Sequence, residues 1–427
     1  MSAKFLDRSP TPELLAPAGS LTMLRVACAF GADAVYAGQP RYSLRVRNNE
    51  FGHLEALRTA IDELHAAKRK MYLVSNVIPH NTKVRTYLDD MAPVIALKPD
   101  ALIMADPGLI DMVREKWPDI PVHLSVQANT VNYASVRFWQ KLGIARIILS
   151  RELSLDEIAE IREICPDIEL EVFVHGALCI AHSGRCLLSG YFNRRDANQG
   201  SCTNSCRWKY RIKTGQEDSG GDIWLLEESE RPGEWMPVEE DDHGTYILNS
   251  KDLRAIEYIE RLLKIGIDAF KIEGRTKSPY YVARTVQAYR RAIDDAKAGY
   301  PFNPALFDDL EGLANRGYTS GFYQRHHGQA MQNYSRGHSE SHRSRYVGDV
   351  VNWDEARKMA KVDVKNQFAV KDRLELIHPL GNQILTLEKM ENEAGETISL
   401  APGNGHQVWI PLEKNQMGAM LARFLTP

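Results

Sequence analysis

The chain has 427 residues, of which 44% are hydrophobic and 26% charged, a balance that is ordinary for a globular enzyme. This length exceeds that of one ordinary domain, so we expect two domains, or a large barrel with an appendage. No run reaches the roughly 20 apolar residues of a membrane-spanning helix, and the polar start from Met1 to Pro17 is unlike a signal peptide. These features predict a cytoplasmic protein with no membrane partner.

Short apolar runs alternate with longer amphipathic segments in the first part of the chain, which is typical of β–α units around a parallel sheet. Eight runs are predicted as strands: Glu13–Pro17, Ala34–Gly38, Lys70–Asn76, Ala101–Asp106, Val122–Gln127, Arg146–Arg151, Leu170–His175 and Ala269–Gly274. Eight is the number that closes a (β/α)₈, TIM-like barrel. A doubly wound open sheet is less favoured, because the first strand is not followed by a glycine-rich dinucleotide-binding turn.

Helices are predicted between these strands, for example over 54–67 and 154–164. In the second of these, Ser154 is the N-cap and Glu157 completes a capping box. Further helices are predicted over 252–264, capped near Ser250, and over 280–298.

The chain divides into a barrel of residues 1–300, a linker of residues 301–345 and a C-terminal β domain of residues 346–427. The seventh and eighth strands lie about ninety residues apart, which exceeds an ordinary loop and indicates an insertion at 178–250. Short β-like runs separated by turn residues, such as Pro402-Gly-Asn-Gly, predict a small all-β barrel or sandwich for the last domain.

Four of the six cysteines fall within 28 residues of the insertion: Cys179, Cys186, Cys202 and Cys206, spaced C-x6-C-x15-C-x3-C. Thiolate clusters bind soft metals, and this spacing is looser than the two tight pairs of a zinc ribbon. The spacing favours a metal centre, iron–sulfur ahead of zinc, and leaves four unrelated reduced thiols as the alternative. Cys28 and Cys165 stand alone in helical patterns and are interpreted as small buried hydrophobic residues.

The same insertion carries an uneven charge distribution that the net charge of −3 conceals. Residues 183–213 hold seven Lys or Arg against one Asp, whereas residues 214–244 hold eleven acidic residues against one Arg. Four aromatic residues lie within or beside the basic part: Tyr191, Phe192, Trp208 and Tyr210. Such a segment can stack bases and neutralise phosphates, although a plain cationic surface facing the acidic stretch fits equally well.

Polar residues follow the carboxyl ends of the predicted strands, where a barrel of this class has its active site. They are Asn76, Asp106, Gln127, Asn129, Arg151, Glu152, His175, Glu273 and Arg275. From this set we predict Glu152, His175 and Glu273 as proton-transfer residues, and Arg151 and Arg275 as substrate-binding residues. Three further arginines after the second strand, Arg41, Arg45 and Arg47, are predicted to bind carboxylate or phosphate groups. Loop caps and surface ion pairs are the alternative for each residue.

The motifs of common hydrolases and nucleotide-binding enzymes are absent from the sequence. There is no H-E-x-x-H, no G-x-S-x-G and no Walker A motif.

Long motifs resemble the collagenase-like peptidase family of unassigned mechanism. They are Pro12-Glu-Leu-Leu-Ala-Pro-Ala-Gly, Gly31-Ala-Asp-Ala-Val-Tyr-Ala-Gly, Glu171-Val-Phe-Val-His-Gly-Ala-Leu-Cys, Ser183-Gly-Arg-Cys-Leu-Leu-Ser-Gly-Tyr and Asn249-Ser-Lys-Asp-Leu. The segments Gln39-Pro-Arg-Tyr-Ser-Leu-Arg-Val-Arg-Asn-Asn-Glu-Phe and Lys271-Ile-Glu-Gly-Arg-Thr-Lys-Ser are similar to one branch, whose members carry out tRNA 5-hydroxyuridine synthesis.

The resemblance implies a tRNA-modifying hydroxylase that forms 5-hydroxyuridine at the wobble position, dependent on prephenate as co-substrate and independent of oxygen. It implies that Cys179, Cys186, Cys202 and Cys206 hold a [4Fe–4S] iron–sulfur cluster supplied by the iron–sulfur assembly machinery. A metal-dependent collagenase-like protease, a hydroxylase acting on ribosomal RNA and a non-catalytic RNA-binding protein are the alternatives. The insertion after the basic segment is shorter here than the resemblance to that branch implies.

Overall fold

A computed structural model gives the fold of the chain. It describes residues 11–38, 41–44, 49–178, 210–214, 224–228, 235–238, 240–241, 244–245, 251–315, 317–324 and 343–425. Among these residues, no helix combines the length and the apolar character needed to cross a membrane.

The eight predicted barrel strands all form. They are β1 Glu13–Pro17, β2 Ala34–Gly38, β3 Lys70–Ser75, β4 Ala101–Met104, β5 Val122–Leu124, β6 Arg146–Ile148, β7 Glu169–Ala177 and, after the insertion, β14 Ala269–Ile272. Each pairs in parallel with the next from β1 to β7, and β14 pairs in parallel with both β1 and β7. The ring is closed, which confirms the predicted (β/α)₈, TIM-like barrel.

Helices surround this ring and bury their apolar faces against it. They are α1 Leu21–Ala29, α2 Leu54–Ala66, α3 Asn81–Val84, α4 Tyr87–Ile95, α5 Pro107–Lys116, α6 Tyr133–Lys141, α7 Leu155–Ile164, α8 Ile259–Ile265, α9 Pro279–Lys297 and α10 Ala305–Glu311. The capping box of α7 is confirmed: the Glu157 amide donates to Ser154 Oγ at 3.3 Å, and the Ser154 amide donates to Glu157 Oε2 at 2.8 Å. Helix α10 lies within the predicted linker, where Leu306 and Leu310 join the barrel core.

The described parts of the insertion form small antiparallel sheets. Strands β8 Tyr210–Thr214, β9 Trp224–Glu228 and β10 Trp235–Val238 make one sheet, and β11 Glu240–Asp241 pairs with β12 Gly244–Thr245.

The helix predicted over 252–264 is wrong in its first half. Residues Asp252–Arg254 form strand β13, which pairs antiparallel with the end of β7 and parallel with β15, Tyr318–Thr319. A short 3₁₀ helix at Ile256–Tyr258 follows, and α8 begins only at Ile259. Residues Asp252–Arg254 pair with the last residues of β7, and Leu253 is buried in that pairing. Tertiary pairing therefore overrides the local helical pattern.

The C-terminal domain is an antiparallel sheet rather than a closed barrel. Its strands are β16 Ser344–Asp354, β17 Met359–Val364, β18 Phe368–Ala369, β19 Arg373–Ile377, β20 Gln383–Thr386, β21 Glu391–Asn392, β22 Leu400–Ala401, β23 Gln407–Pro411 and β24 Met420–Phe424. Seven of them form a half-barrel in the order β20-β19-β24-β16-β17-β23-β21. The sequence-based prediction of a small all-β domain is confirmed in class, but it missed the central strand β24.

The β domain docks on helix α9 through buried polar and aromatic contacts. Arg284, 3% exposed, donates to Glu375 Oε1 at 2.8 Å. Tyr280 stacks on Tyr346 with ring centroids 4.8 Å apart. Because Ile377 also joins the barrel core, the two domains share one interior along α9.

Candidate active site at the barrel mouth

A narrow pocket lined by charged, polar and apolar side chains opens at the carboxyl ends of the barrel strands, where barrels of this class have their active sites. The cavity has a water-accessible volume of about 90 Å³. One bound water needs roughly 10–15 Å³ of such volume. The lining is contributed by nearly every barrel strand or the residues just after it: Tyr36, Leu44, Val74, Asn76, Ile103, Ser125, Val126, Gln127, Ile148, Arg151, Phe173, Lys271, Glu273 and Arg275. Of the predicted site residues, the structure therefore brings Arg151, Glu273 and Arg275 together here, along with the strand-end residues Asn76 and Gln127.

One wall of the pocket is held by the segment after β14. The Arg275 guanidinium donates to Ser43 Oγ at 2.7 Å and lies 5.8 Å from the centre of the Tyr36 ring. The Tyr36 hydroxyl lies 3.2 Å from the Glu273 carboxylate and 2.9 Å from the Ile272 carbonyl. Glu273 is 9% exposed and Arg275 is 7% exposed. The wall thus presents a carboxyl group and a guanidinium cation, both with little access to bulk water.

Gly38 lets this wall form. A Cβ at that position would lie 2.3 Å from an Arg275 nitrogen and 2.6 Å from Ser43 Oγ. The glycine is required by the close approach of these side chains to the end of β2.

The floor of the pocket is a buried network of charges inside the barrel. Glu171, fully buried, accepts from Lys271 Nζ at 2.8 Å and from Arg146 at 3.2 Å. Arg146, 4% exposed, also donates to Glu13 at 2.7 Å and to Glu169 at 2.8 Å. Buried charges persist where they are paired in this way. The network links the amino-terminal end of the barrel to the pocket.

Lys271 is the member of this network that reaches the pocket. Its ammonium group lies 4.5 Å from the centre of the Tyr36 ring and 5.5 Å from that of Phe173. Burial lowers the pKa of Lys271, and the Glu171 carboxylate opposes that effect. A lysine poised in this way can bind an anion or transfer a proton. Sequence reasoning missed Lys271, although it alternates with Ala269 and Glu273 on one face of a short strand.

His175 does not face the pocket. A β-bulge shifts the register between β7 and β14. Phe173 pairs with Lys271, whereas His175, two residues later, pairs with the very next residue of β14, Ile272. Simple alternation would put Glu171, Phe173 and His175 all inside the barrel, but the extra residue turns His175 to the outer face. The predicted catalytic histidine is therefore separated from the mouth pocket.

On the outer face, His175 lies beneath helix α9 in an aromatic cage. Its ring centre lies 5.8 Å from that of Tyr281, 5.5 Å from Tyr289 and 5.4 Å from Tyr318. Nδ1 lies 3.3 Å from the Tyr289 hydroxyl. Burial, with smaller contributions from the charges of Arg254 and Lys277, lowers the pKa of His175 to about 3.

The replacement His175→Phe is expected to flatten the dependence of stability on acid pH. Below the ordinary histidine pKa of 6.5 the unfolded chain binds a proton that the native ring refuses, so the free energy of unfolding falls as the pH falls. The contribution that the wild type loses between pH 7 and pH 5 is about 2 kcal/mol, and the variant lacks it. Urea unfolding at both pH values measures the difference. If the stability of the two proteins depended on pH in the same way, the assignment of His175 as a buried neutral residue would be contradicted. A variant that is fully stable but inactive would indicate that His175 is catalytic after all.

The remaining predicted residues are distributed around the mouth. Arg151 lies 4.5 Å from the centre of the Phe173 ring and donates to the Ala177 carbonyl at 2.7 Å, at the end of β7. Glu152 is half-buried and is not among the lining residues. Arg41 pairs with Asp90 at 2.6 Å on the side of α4, again outside the pocket lining. Arg45 and Arg47 lie outside the described residues.

Two strand-end residues have the local roles that the alternative interpretation gave them. Asp106 caps α5, since its carboxylate accepts from the Leu109 amide at 2.9 Å. Asn129 ends the 3₁₀ helix Val126–Ala128 in the left-handed region, with φ of 49°.

The four predicted metal ligands, Cys179, Cys186, Cys202 and Cys206, lie outside the described residues. The described stretch of residues 49–178 ends at Leu178, the residue before Cys179. Leu178 follows Ala177, whose carbonyl accepts a hydrogen bond from Arg151. Among the described residues, no group of three or more His, Cys, Asp or Glu side chains could hold a metal ion. Cys28 and Cys165 pack against the core, and burial raises the pKa of both thiols, to about 11 for Cys28. This confirms the interpretation as a buried apolar residue for Cys165, whereas Cys28 is only partly buried.

The class of this protein is defined by three features. They are a (β/α)₈ barrel with a charged mouth pocket, an insertion after the seventh barrel strand, and an appended β half-barrel. Residues 19–333 match the model of peptidase family U32, and residues 342–423 match that of the peptidase family U32 C-terminal domain. The chain belongs to this family.

Relatives within the family carry two kinds of name. The chain is 56% identical to tRNA hydroxylation protein P of Escherichia coli (strain K12) over 429 residues, covering 95% of this chain and 94% of that protein. It is 53% identical to the protein of the same name in Haemophilus influenzae, covering 97% and 96%. It is also 28% identical to a collagenase of Porphyromonas gingivalis, covering 96% and 97%.

Proposed function

We propose that this protein is a tRNA hydroxylase. The observation that carries the proposal is the 56% identity, spread over 95% of the chain, to the tRNA hydroxylation protein P of Escherichia coli. Identity of that extent covers the barrel, the insertion and the β domain together. An enzyme that acts on tRNA would work in the cytoplasm.

We further propose that the product is 5-hydroxyuridine at the wobble position and that prephenate is the co-substrate. The mouth pocket supports this, because Lys271, Arg275 and Arg151 place three cations around a small cavity that also contains Glu273. Cations in a site of low polarity bind carboxylate and phosphate groups strongly. A uridine must leave its stack to reach such a pocket, as bases do in other enzymes that modify them.

We propose that Cys179, Cys186, Cys202 and Cys206 hold a [4Fe–4S] cluster supplied by the iron–sulfur assembly machinery. Their number and thiolate chemistry support it, as does the position of Cys179 two residues after the end of β7, where Arg151 holds the Ala177 carbonyl at the pocket. The cluster would supply electron transfer. Glu273 and Lys271 are the described groups best placed to hold or move a proton at the pocket.

Peptidase activity is the second candidate, favoured by the family name and by the collagenase relative at 28% identity. The described part of the pocket gives it little support. Its one candidate histidine, His175, is turned away from the mouth by the β-bulge, and the described residues offer no metal-ligand cluster.

Deletion of the gene is expected to remove 5-hydroxyuridine and its derivatives from tRNA, and the wild-type gene is expected to restore them. Mass spectrometry of digested tRNA measures this. The Arg275→Ala gene is expected to restore at most about a tenth of the modification, since a charged hydrogen bond lost from a buried site costs about 1.5–3 kcal/mol.

Arg58→Ala is the matched control, because Arg58 is half-exposed on helix α2, in an ion pair with Glu55 outside the pocket. Unchanged tRNA in the deletion strain would exclude the proposed function. Cleavage of gelatin by the purified protein, lost in the Arg275→Ala variant, would favour the peptidase.

A further inference from the structure

We propose that the side-chain amide of Gln127 recognises the edge of a uracil base in the mouth pocket, accepting from N3–H and donating to the adjacent carbonyl oxygen. This inference rests on the proposed function, since it names the group in this pocket that reads the base of the RNA substrate. It concerns binding and specificity, and it assigns Gln127 no bond-making step.

The first observation is that Gln127 is buried but not satisfied by the protein. The residue is 2% exposed, it lines the mouth pocket, and neither Nε2 nor Oε1 has a hydrogen-bond partner among the residues that the structure describes. A buried polar atom without a partner costs about 1–3 kcal/mol. Gln127 has both a donor and an acceptor that are buried without a partner. This points to a ligand that supplies both partners.

The second observation is that the other amide in the pocket is fully engaged. Asn76 donates to Ser125 Oγ at 3.1 Å, and its carbonyl oxygen accepts from the Leu44 amide at 3.3 Å. Asn76 therefore supports the pocket wall, and Gln127 is the amide left for a ligand.

The third observation is that the backbone of Gln127 is fixed before any ligand arrives. Gln127 lies in the 3₁₀ helix Val126–Ala128, and its own amide donates to Ser125 Oγ at 3.5 Å. The same Ser125 oxygen receives the hydrogen bond from Asn76, and Asn129 ends the helix in the left-handed region. Because this turn is already ordered, binding costs little additional backbone entropy here.

The chemistry of the amide selects the kind of ligand. Uracil presents a donor and an acceptor on adjacent atoms, which a primary amide matches with two hydrogen bonds. A carboxylate offers acceptors only, so it would leave Oε1 of Gln127 unpaired and facing a negative charge. The pocket already has Lys271, Arg275 and Arg151 for carboxylates, and Gln127 complements these cations by binding the base.

The test measures the affinity of the purified full-length protein for uridine 5′-monophosphate and for its N3-methyl derivative, which lacks the N3–H donor. The wild type is expected to bind the methylated nucleotide about tenfold more weakly, the equivalent of one lost hydrogen bond to a buried partner. Gln127→Leu is expected to bind the two nucleotides equally and to bind prephenate as the wild type does. The matched control is Gln140→Leu on helix α6, which is expected to keep the wild-type preference.

Thermal unfolding of the same variant provides a readout that does not depend on activity. Because leucine removes two unsatisfied polar atoms and keeps the apolar volume, Gln127→Leu is expected to be at least as stable as the wild type. A less stable variant, a wild type that does not distinguish the two nucleotides or fails to bind them, or a loss of prephenate affinity would each overturn the inference. Unchanged tRNA in the deletion strain would instead overturn the proposed function while leaving nucleotide binding to be measured directly.

Discussion

Cys202→Ala protein, purified without oxygen, is expected to have lost most of its iron and sulfide and to leave tRNA unhydroxylated in the deletion strain. The proposed cluster has four protein anchors, and a thiolate lost from such a set removes the charge and the bond that hold one iron. The visible absorption of the anaerobic protein and its iron content measure the loss. Both should fall to near background in this variant.

The matched control is Cys165→Ala, which removes a thiol that is 2% exposed in the barrel core. Its sulfur contacts the Tyr133 carbonyl at 3.6 Å, and burial raises its pKa, so it remains a neutral core group. This variant should keep the iron and the activity. A colourless wild-type protein that contains zinc in place of iron would contradict the cluster assignment.

Glu171→Ala is expected to lower the free energy of unfolding by about 3–5 kcal/mol, because it leaves buried cations without their shared carboxylate. Glu171 is fully buried between Lys271 at 2.8 Å and Arg146 at 3.2 Å. Urea denaturation of the purified proteins measures the change.

The control for this variant is Glu169→Ala, two residues earlier on the same strand. Glu169 also pairs with Arg146, at 2.8 Å, but its side chain is 52% exposed. An exposed partner contributes about 0–1 kcal/mol, so this variant should be nearly as stable as the wild type. Equal losses in the two variants would show that burial does not decide the strength of these pairs.

The sequence located the barrel because each of its strands is a buried apolar run bounded by turn residues. The runs Ala34–Gly38 and Ala101–Met104 are entirely buried, as strands of a parallel sheet covered by helices must be. The same rule failed at Met420–Phe424, where the local pattern ends in two half-buried residues and the strand is fixed by pairing with β16 and β19.

The site was predicted less completely, for two physical reasons. Strand ends can be read from the sequence, which placed Glu273 and Arg275 at the mouth, but one extra residue in β7 turned His175 to the opposite face. A bulge of this kind has no marker in a run such as Glu171-Val-Phe-Val-His. The interior charges were missed because Glu13 and Arg146 look like ordinary polar strand termini, and Lys271 like a lone polar residue in a short strand, until the strands close around them.

The internal charge network also bears on how the barrel folds. Glu13 comes from the first strand, Arg146 from the sixth, Glu171 from the seventh and Lys271 from the last, and the contact between Glu13 and Arg146 spans 133 residues. In an incomplete ring some of these charges would lack their partners, so part of the pairing energy is gained only when the strands come together. Intermediates with an open barrel lack that part, and the last strand to dock supplies Lys271, the lysine partner of Glu171. The network thus makes closure of this barrel cooperative, at the price of slow folding that depends on long-range contacts.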